Sequence, residues 1–201
     1  MQLYMFNKPM GCVTAKSDDT HKTVMDYFPE EIRKTCFPVG RLDKDTTGLL
    51  LVTDSGELVN QLMSPEKHVS KTYEFWAYGE LDEEQLGKLK SGIDIGKGRK
   101  ELTFPCDIKV ICQGRYKQFK ERMKSEGCKE INHKGEEQMV VCGEITITQG
   151  KKHQVKRMLR AAGCYVVRLN RVAVGDVWLD KELKPGEYKK ILADCFWEEK
   201  Q

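Results

Sequence analysis

Gly40-Arg41-Leu42-Asp43-Lys44-Asp45-Thr46-Thr47-Gly48-Leu49-Leu50-Leu51-Val52-Thr53-Asp54-Ser55-Gly56 sets neighbouring carboxylates and paired threonines between a glycine turn and an unbroken apolar run. The run from Leu49 to Val52 is short and rich in branched side chains, which reads as a buried strand. Asp43 therefore stands at the rim of a sheet, held rigidly on one side and open to a ligand on the other. The plain alternative is a polar turn whose acids are simply solvated.

Two other motifs compete for the same residues. Asp43-Lys44-Asp45-Thr46-Thr47 matches the DxDxT pattern of haloacid-dehalogenase-type phosphatases, but Phe37-Pro38-Val39-Gly40-Arg41 precedes it where those enzymes place a long apolar strand. Asp43, Asp45, Thr47 and Gly48 echo the opening of a calcium loop, yet its last ligand position holds Asp54 where a bidentate Glu is needed.

Working outward, Leu3-Tyr4-Met5-Phe6 reads as a strand ending in the turn Asn7-Lys8-Pro9-Met10-Gly11. A helical turn is expected over 23–28, stopped by Pro29, and Asp54-Ser55-Gly56-Glu57 has capping-box spacing for a helix through Met63. Residues 71–78 alternate enough to be a strand, and Asp82 starts a helix that ends at Gly92. Strands follow over 106–112 and 139–148, separated by a charged passage over 115–138 read as a short helix plus a mobile loop. A helix over 152–162 closed by Gly163, a strand over 165–174 and a last strand over 188–192 complete the chain. Strands dominate and many are hairpin-like, so the expected class is α+β, a mixed and mostly antiparallel sheet with flanking helices.

A chain of 201 residues with 39% hydrophobic content buries a full core, so one domain over 1–201, in one body or two lobes, is expected. Eight cysteines (Cys12, Cys36, Cys106, Cys112, Cys128, Cys142, Cys164, Cys195) form no CxxC pair, and no signal peptide precedes them. They read as reduced thiols of a cytoplasmic protein, with neither metal nor cofactor. No apolar run of membrane-spanning length occurs. Net charge is only +3, but Lys151, Lys152, Lys156, Arg157, Arg160, Arg168 and Arg171 stand between Gly150 and Arg171 without an acid among them. Such a local field suits a phosphate backbone. A second cluster, Lys109, Arg115, Lys117, Lys120, Arg122 and Lys124, is interrupted by Glu121.

The 40–56 segment, with its Arg41-Leu42-Asp43 triplet, resembles the catalytic motif of the RNA pseudouridine synthases. Asn7-Lys8-Pro9-Met10-Gly11 is similar to the first motif of that family and Gly150-Lys151-Lys152-His153-Gln154-Val155-Lys156-Arg157-Met158 to its third, while Ser64-Pro65 and Lys71-Thr72-Tyr73 fit the motif between them. The resemblance spans nearly the whole chain, in the family's order. The HQVKRM spelling is most similar to enzymes modifying 16S ribosomal RNA, with 23S enzymes of the same branch as nearest competitors. Members of that branch commonly carry an S4-like RNA-binding module before the catalytic domain, and here the first catalytic strand is expected at residue 3.

The resemblance implies a pseudouridine synthase fold with a central cleft, and Asp43 as its catalytic carboxylate. It implies Tyr73 stacking on a flipped-out uracil, Leu169 packing against it, Arg41 helping to displace the base, and Lys156 as the cation beside Asp43. Lys8 then supports the catalytic loop, and Lys151, Lys152, His153, Gln154, Arg157 and Arg160 contact RNA. The plain readings stay open: Tyr73 and Leu169 as core, Lys156 as a solvated lysine, the helix as an ordinary amphipathic surface helix. The implied partner is ribosomal RNA or a subunit assembly particle, met by a monomer. A non-catalytic RNA-binding assembly factor is the alternative from another class.

Overall fold

The computed structural model describes residues 1–129 and 135–192. Cys195, and residues 130–134 of the charged passage, lie outside the described residues. The chain divides into two compact units, the first built from 1–71 and 170–201, the second from 72–169.

The first unit holds β1 (Leu3–Lys8), β2 (Phe37–Pro38), β3 (Thr47–Thr53), the second half of β7 (Tyr165–Val174), β8 (Val177–Trp178) and β9 (Tyr188–Lys190). Its strand order is β7-β3-β1-β9, with β2 on β3 and β8 on β7. β1 runs antiparallel to β3, with Leu3 opposite Thr53 and Lys8 opposite Gly48. The apolar run is unbroken because both faces of β3 are covered. Leu49 and Leu51 pack with Leu3, Met5 and the Leu58 and Leu62 side chains of α2 (Gly56–Met63). On the other face Tyr4 and Phe6 of β1 meet Phe28, with ring centroids 6.1 and 5.3 Å apart. Each such buried side chain stabilises by roughly 1.5–3 kcal/mol. α2 begins one residue later than the expected capping box: Ser55 Oγ accepts from Leu58 N (3.2 Å), while Asp54 Oδ1 accepts from Gln2 N (2.7 Å). The sequence reading missed α1 (Glu30–Thr35), whose six residues are too few to show a period.

The second unit orders its strands β5 (Asp107–Arg115), β6 (Met139–Ile147), β4 (Lys71–Tyr78) and the first half of β7, with α3 (Glu83–Ser91), α4 (Tyr116–Ser125) and α5 (Gln154–Ala161). α3 starts with a reciprocal cap in which Asp82 Oδ1 accepts from Gln85 N and Gln85 Oε1 accepts from Asp82 N, both at 2.8 Å. Trp76, Tyr78, Val140, Cys142 and Val167 form the core with Met123 of α4. The mixed, mostly antiparallel sheet with helices is the expected α+β class.

One expectation about the cysteines is corrected. Cys112 and Cys142 lie opposite each other on antiparallel β5 and β6, with Cα atoms 5.2 Å apart, and their sulfurs are joined. That spacing lies within disulfide reach, which a sequence separation of 30 could not announce. Cys12, Cys36, Cys106, Cys128 and Cys164 are free thiols.

Candidate active site

Asp43 sits in the first unit, half-buried in the segment that leads into β3. Three neighbours fix this segment from beneath. Lys8, fully buried at the end of β1, donates from Nζ to Thr46 O (2.9 Å), Pro9 O (3.2 Å) and Lys44 O (3.4 Å). Gly11 N donates to Lys44 O at 2.8 Å, and Thr46 N closes a turn on Asp43 O at 3.0 Å. Thr14 then clamps the residue before Asp43 in both directions: its hydroxyl donates to Leu42 O (2.8 Å) and accepts from Leu42 N (3.1 Å). Arg41 is exposed, and Leu42 is buried beneath it. The result is a carboxylate on a backbone with little freedom to move, the condition under which a charge is preorganised for chemistry.

Gly48 explains how the loop meets β7. In the parallel pairing of β3 with β7, Thr47 faces Asn170 and Gly48 faces Arg171. Gly48 has φ +97°, and a Cβ there would lie 2.2 Å from Arg171 O. Thr47 Oγ1 donates to Asn170 Oδ1 (2.9 Å), and the buried Arg171 donates from Nε to Leu49 O (2.8 Å). Lys71 is also buried in this unit. Burial and the Arg171 charge push its ammonium down to about 8, and its Nζ donates to Val69 O (2.8 Å).

Tyr73 and Leu169 belong to the second unit, in β4 and β7, where they are 8% and 5% exposed. On α5 and the residues leading into it, the sequence-nominated side chains divide. Lys152, His153 and Arg160 are exposed, and Lys156 is half-buried. Gln154, nominated for RNA, is instead a buried brace: its Oε1 accepts from Lys151 N (3.0 Å), and its Nε2 donates to Gln149 Oε1 (3.3 Å). Arg157, likewise nominated, spends its guanidinium on Ile95 O and the Glu101 carboxylate. Lys151 Nζ donates to Leu102 O (2.9 Å) and lies 3.5 Å from Glu101. α5 starts at Gln154, two residues later than expected, because His153 adopts a left-handed conformation at φ +53°.

The positive field is thus smaller than the sequence suggests. Arg168 faces Glu74 and Glu126, and Arg171 lies inside the fold. The 109–124 cluster is largely answered by acids: Arg115 and Lys117 pair with Glu137, Lys120 with Glu136, and Arg122 with Glu126.

Chemically, the loop offers a held carboxylate. Burial pushes the Cys106, Cys128 and Cys164 thiols up to about 11, 12 and 11, which keeps them protonated and poor nucleophiles. No group of three His, Cys, Asp or Glu side chains that could hold a metal occurs among the described residues. No helix among them is long and apolar enough to cross a membrane. The sequence reading missed the Thr14 clamp, because a threonine three residues beyond a turn carries no pattern of its own.

Comparisons with known proteins bear on the chain as a whole. A family model described as RNA pseudouridylate synthase matches residues 2–161. The chain is 39% identical over 188 residues to the uncharacterized RNA pseudouridine synthase YtzG of Bacillus subtilis (strain 168), covering 93% of this chain and 68% of that protein. It is 34% identical over 191 residues to the ribosomal small subunit pseudouridine synthase A of Yersinia pestis, covering 95% and 69%. A crystal structure of a pseudouridylate synthase matches with a TM-score of 0.77 at 32% identity, over 98% of this chain and 72% of that one.

Proposed function

The chain belongs to the RNA pseudouridylate synthase family, and on that premise we propose that it isomerises uridine to pseudouridine in ribosomal RNA, in 16S rather than 23S RNA, with Asp43 as the catalytic carboxylate. The observation that carries this reading is the immobilised Asp43 segment, clamped by Lys8, Gly11 and Thr14. The 16S preference is supported by relatives named for the small subunit, from Yersinia pestis at 34% identity and Escherichia coli (strain K12) at 32%.

The reaction breaks the N1–C1′ glycosidic bond, forms a C5–C1′ bond, and moves a proton from C5 to N1. It needs no oxidant and no incoming group, only stabilisation of a sugar or base adduct, which a carboxylate supplies as nucleophile or counter-charge. Attack at C6, an acyl link at C1′ and a glycal route all use the same carboxylate. Lys156 is the basic member of the third motif. Tyr73 stacks on the flipped base, Leu169 packs against it, and Arg41 helps to displace it. Tyr73 and Leu169 are suited to these tasks because each is fixed in a strand.

The test is tritium release from RNA carrying 5-tritiated uridine, using 16S and 23S transcripts and small-subunit particles, with wild type beside Asp43→Asn. Wild type is expected to release tritium from 16S RNA or its particle, and the variant to lose at least ~10³-fold, about 4 kcal/mol of transition-state stabilisation, without a change in melting temperature. Release by the variant at the wild-type rate removes Asp43 from the chemistry. RNA binding without release by wild type leaves a non-catalytic assembly factor.

A further inference from the structure

Residues 93–104 fold back on themselves within the second unit. Asp94 bridges to Leu102, Ile95 N donates to Glu101 O and Thr103 N donates to Ile93 O, both at 3.0 Å. The Asp94 carboxylate closes the turn by accepting from Gly96 N (2.9 Å) and Glu101 N (2.8 Å), and these amides hold it below the usual carboxylate range. A Cβ at Gly96 would lie 1.8 Å from Arg99 O, so the turn is tight. Its tip presents Lys97, Arg99 and Lys100, all exposed.

Arg157 bolts this hairpin to α5. Its guanidinium donates to Ile95 O (2.6 Å from Nη2), to Glu101 and to Lys152 O (3.3 Å from Nη1). Through this guanidinium the hairpin is held next to the backbone of Lys152, whose side chain is exposed. Both acids of the hairpin are engaged internally, Asp94 by backbone amides and Glu101 by Arg157 and Lys151. Lys97, Arg99 and Lys100 form no ion pair among the described residues. Crowding like charges on a rigid tip costs energy unless a polyanion accepts them. Leu102 and Phe104, two positions apart on the returning arm of the same hairpin, are 51% and 44% exposed, and Phe104 N donates to Gln149 Oε1 (2.8 Å). Cations beside an exposed aromatic are what a strand of unpaired RNA requires, since phosphates need charge and bases need a ring face.

We propose that this hairpin is an RNA-docking surface: Lys97, Arg99, Lys100 and Lys152 hold the backbone of a single-stranded segment, and Phe104 stacks on one of its bases. The inference deepens the reading of the chain as an RNA-modifying enzyme and rests on it for the identity of the RNA.

The experiment measures affinity for a single-stranded 16S fragment across a salt series. It compares wild type, the triple variant Lys97→Ala/Arg99→Ala/Lys100→Ala, Phe104→Leu, and a control with Lys181→Ala/Lys184→Ala/Lys190→Ala, exposed lysines of the first unit. Losing three phosphate contacts is expected to reduce the salt slope by ~2, so that between 50 and 200 mM salt wild-type affinity falls roughly 20-fold more than the variant's. Phe104→Leu is expected to weaken binding about tenfold with the salt slope intact, because stacking carries no charge. The KM for tritium release is expected to rise in the tip variant. A tip variant whose slope and affinity match the control overturns the inference, as does one that binds RNA normally but no longer binds ribosomal particles, which would point to a protein contact. Wild type that releases no tritium, with a tip-dependent salt slope, sinks the isomerase reading and leaves the docking surface standing.

Discussion

Replacing Lys8 with methionine keeps the unbranched stem and removes only the ammonium, which isolates what this buried cation does for the Asp43 segment. Its Nζ serves three carbonyls, with the shortest bond, 2.9 Å, to Thr46 O. Gly11 N continues to serve Lys44 O in the variant, so Thr46 O bears most of the loss. A hydrogen bond from a charged donor contributes ~1.5–3 kcal/mol, and a carbonyl left dry costs ~1–3 more, while removing a buried charge returns part of its desolvation penalty. The net expectation is a loss of about 3 kcal/mol, which for a chain of this size lowers the melting temperature by about 6–12 °C. The loop should loosen with it, and a displacement of ~1 Å at a reacting group costs about 100-fold in rate. Thermal melting and tritium release, assayed below the variant's transition, measure the two effects separately. A Lys8→Met protein that melts within about 2 °C of wild type and turns over at the wild-type rate would refute the view that Lys8 holds the Asp43 segment.

Gly48→Ala is expected to destabilise the first unit by about 3 kcal/mol or more, because the new Cβ meets Arg171 O and the backbone there is left-handed; chemical denaturation reads this directly, and an unchanged midpoint contradicts the close approach. Lys71 supplies a pH dependence. Its folded ammonium titrates near 8, whereas an unfolded lysine holds its proton to about 10.4, so between these values the unfolded chain binds more protons and stability rises with pH. The rise is at most about 3 kcal/mol, and a Lys71→Met protein should lack this component when melted across pH 7.5–10 (a window set by roughly those two titrations).

Much of the architecture was legible in the sequence because local signals coincide with buried structure. The 71–78 and 165–174 strands have the bounds expected of them, and the helix expected to start at Asp82 and end at Gly92 is capped by those two residues. Short elements escaped: α1 and β2 are made by Pro29 and by pairing with β3, neither of which leaves a period to read. The basic stretch from Lys151 to Arg171 was legible as charge, but not as partition. Whether an arginine is free for RNA depends on acids far away in sequence, such as Glu101 for Arg157 and Glu126 for Arg168.

By itself the sequence determined the α+β class, the order of its motifs and the candidacy of Asp43, because strand periods, caps and motif spellings are local properties of the chain. Tertiary structure decided that Lys8 and Thr14 clamp the Asp43 segment, that Gly48 lies against β7, that Gln154 and Arg157 brace the fold, and that Cys112 meets Cys142. Each of these is a contact between residues that only the folded backbone brings within hydrogen-bonding or van der Waals reach, and no periodicity in one strand of sequence encodes its partner.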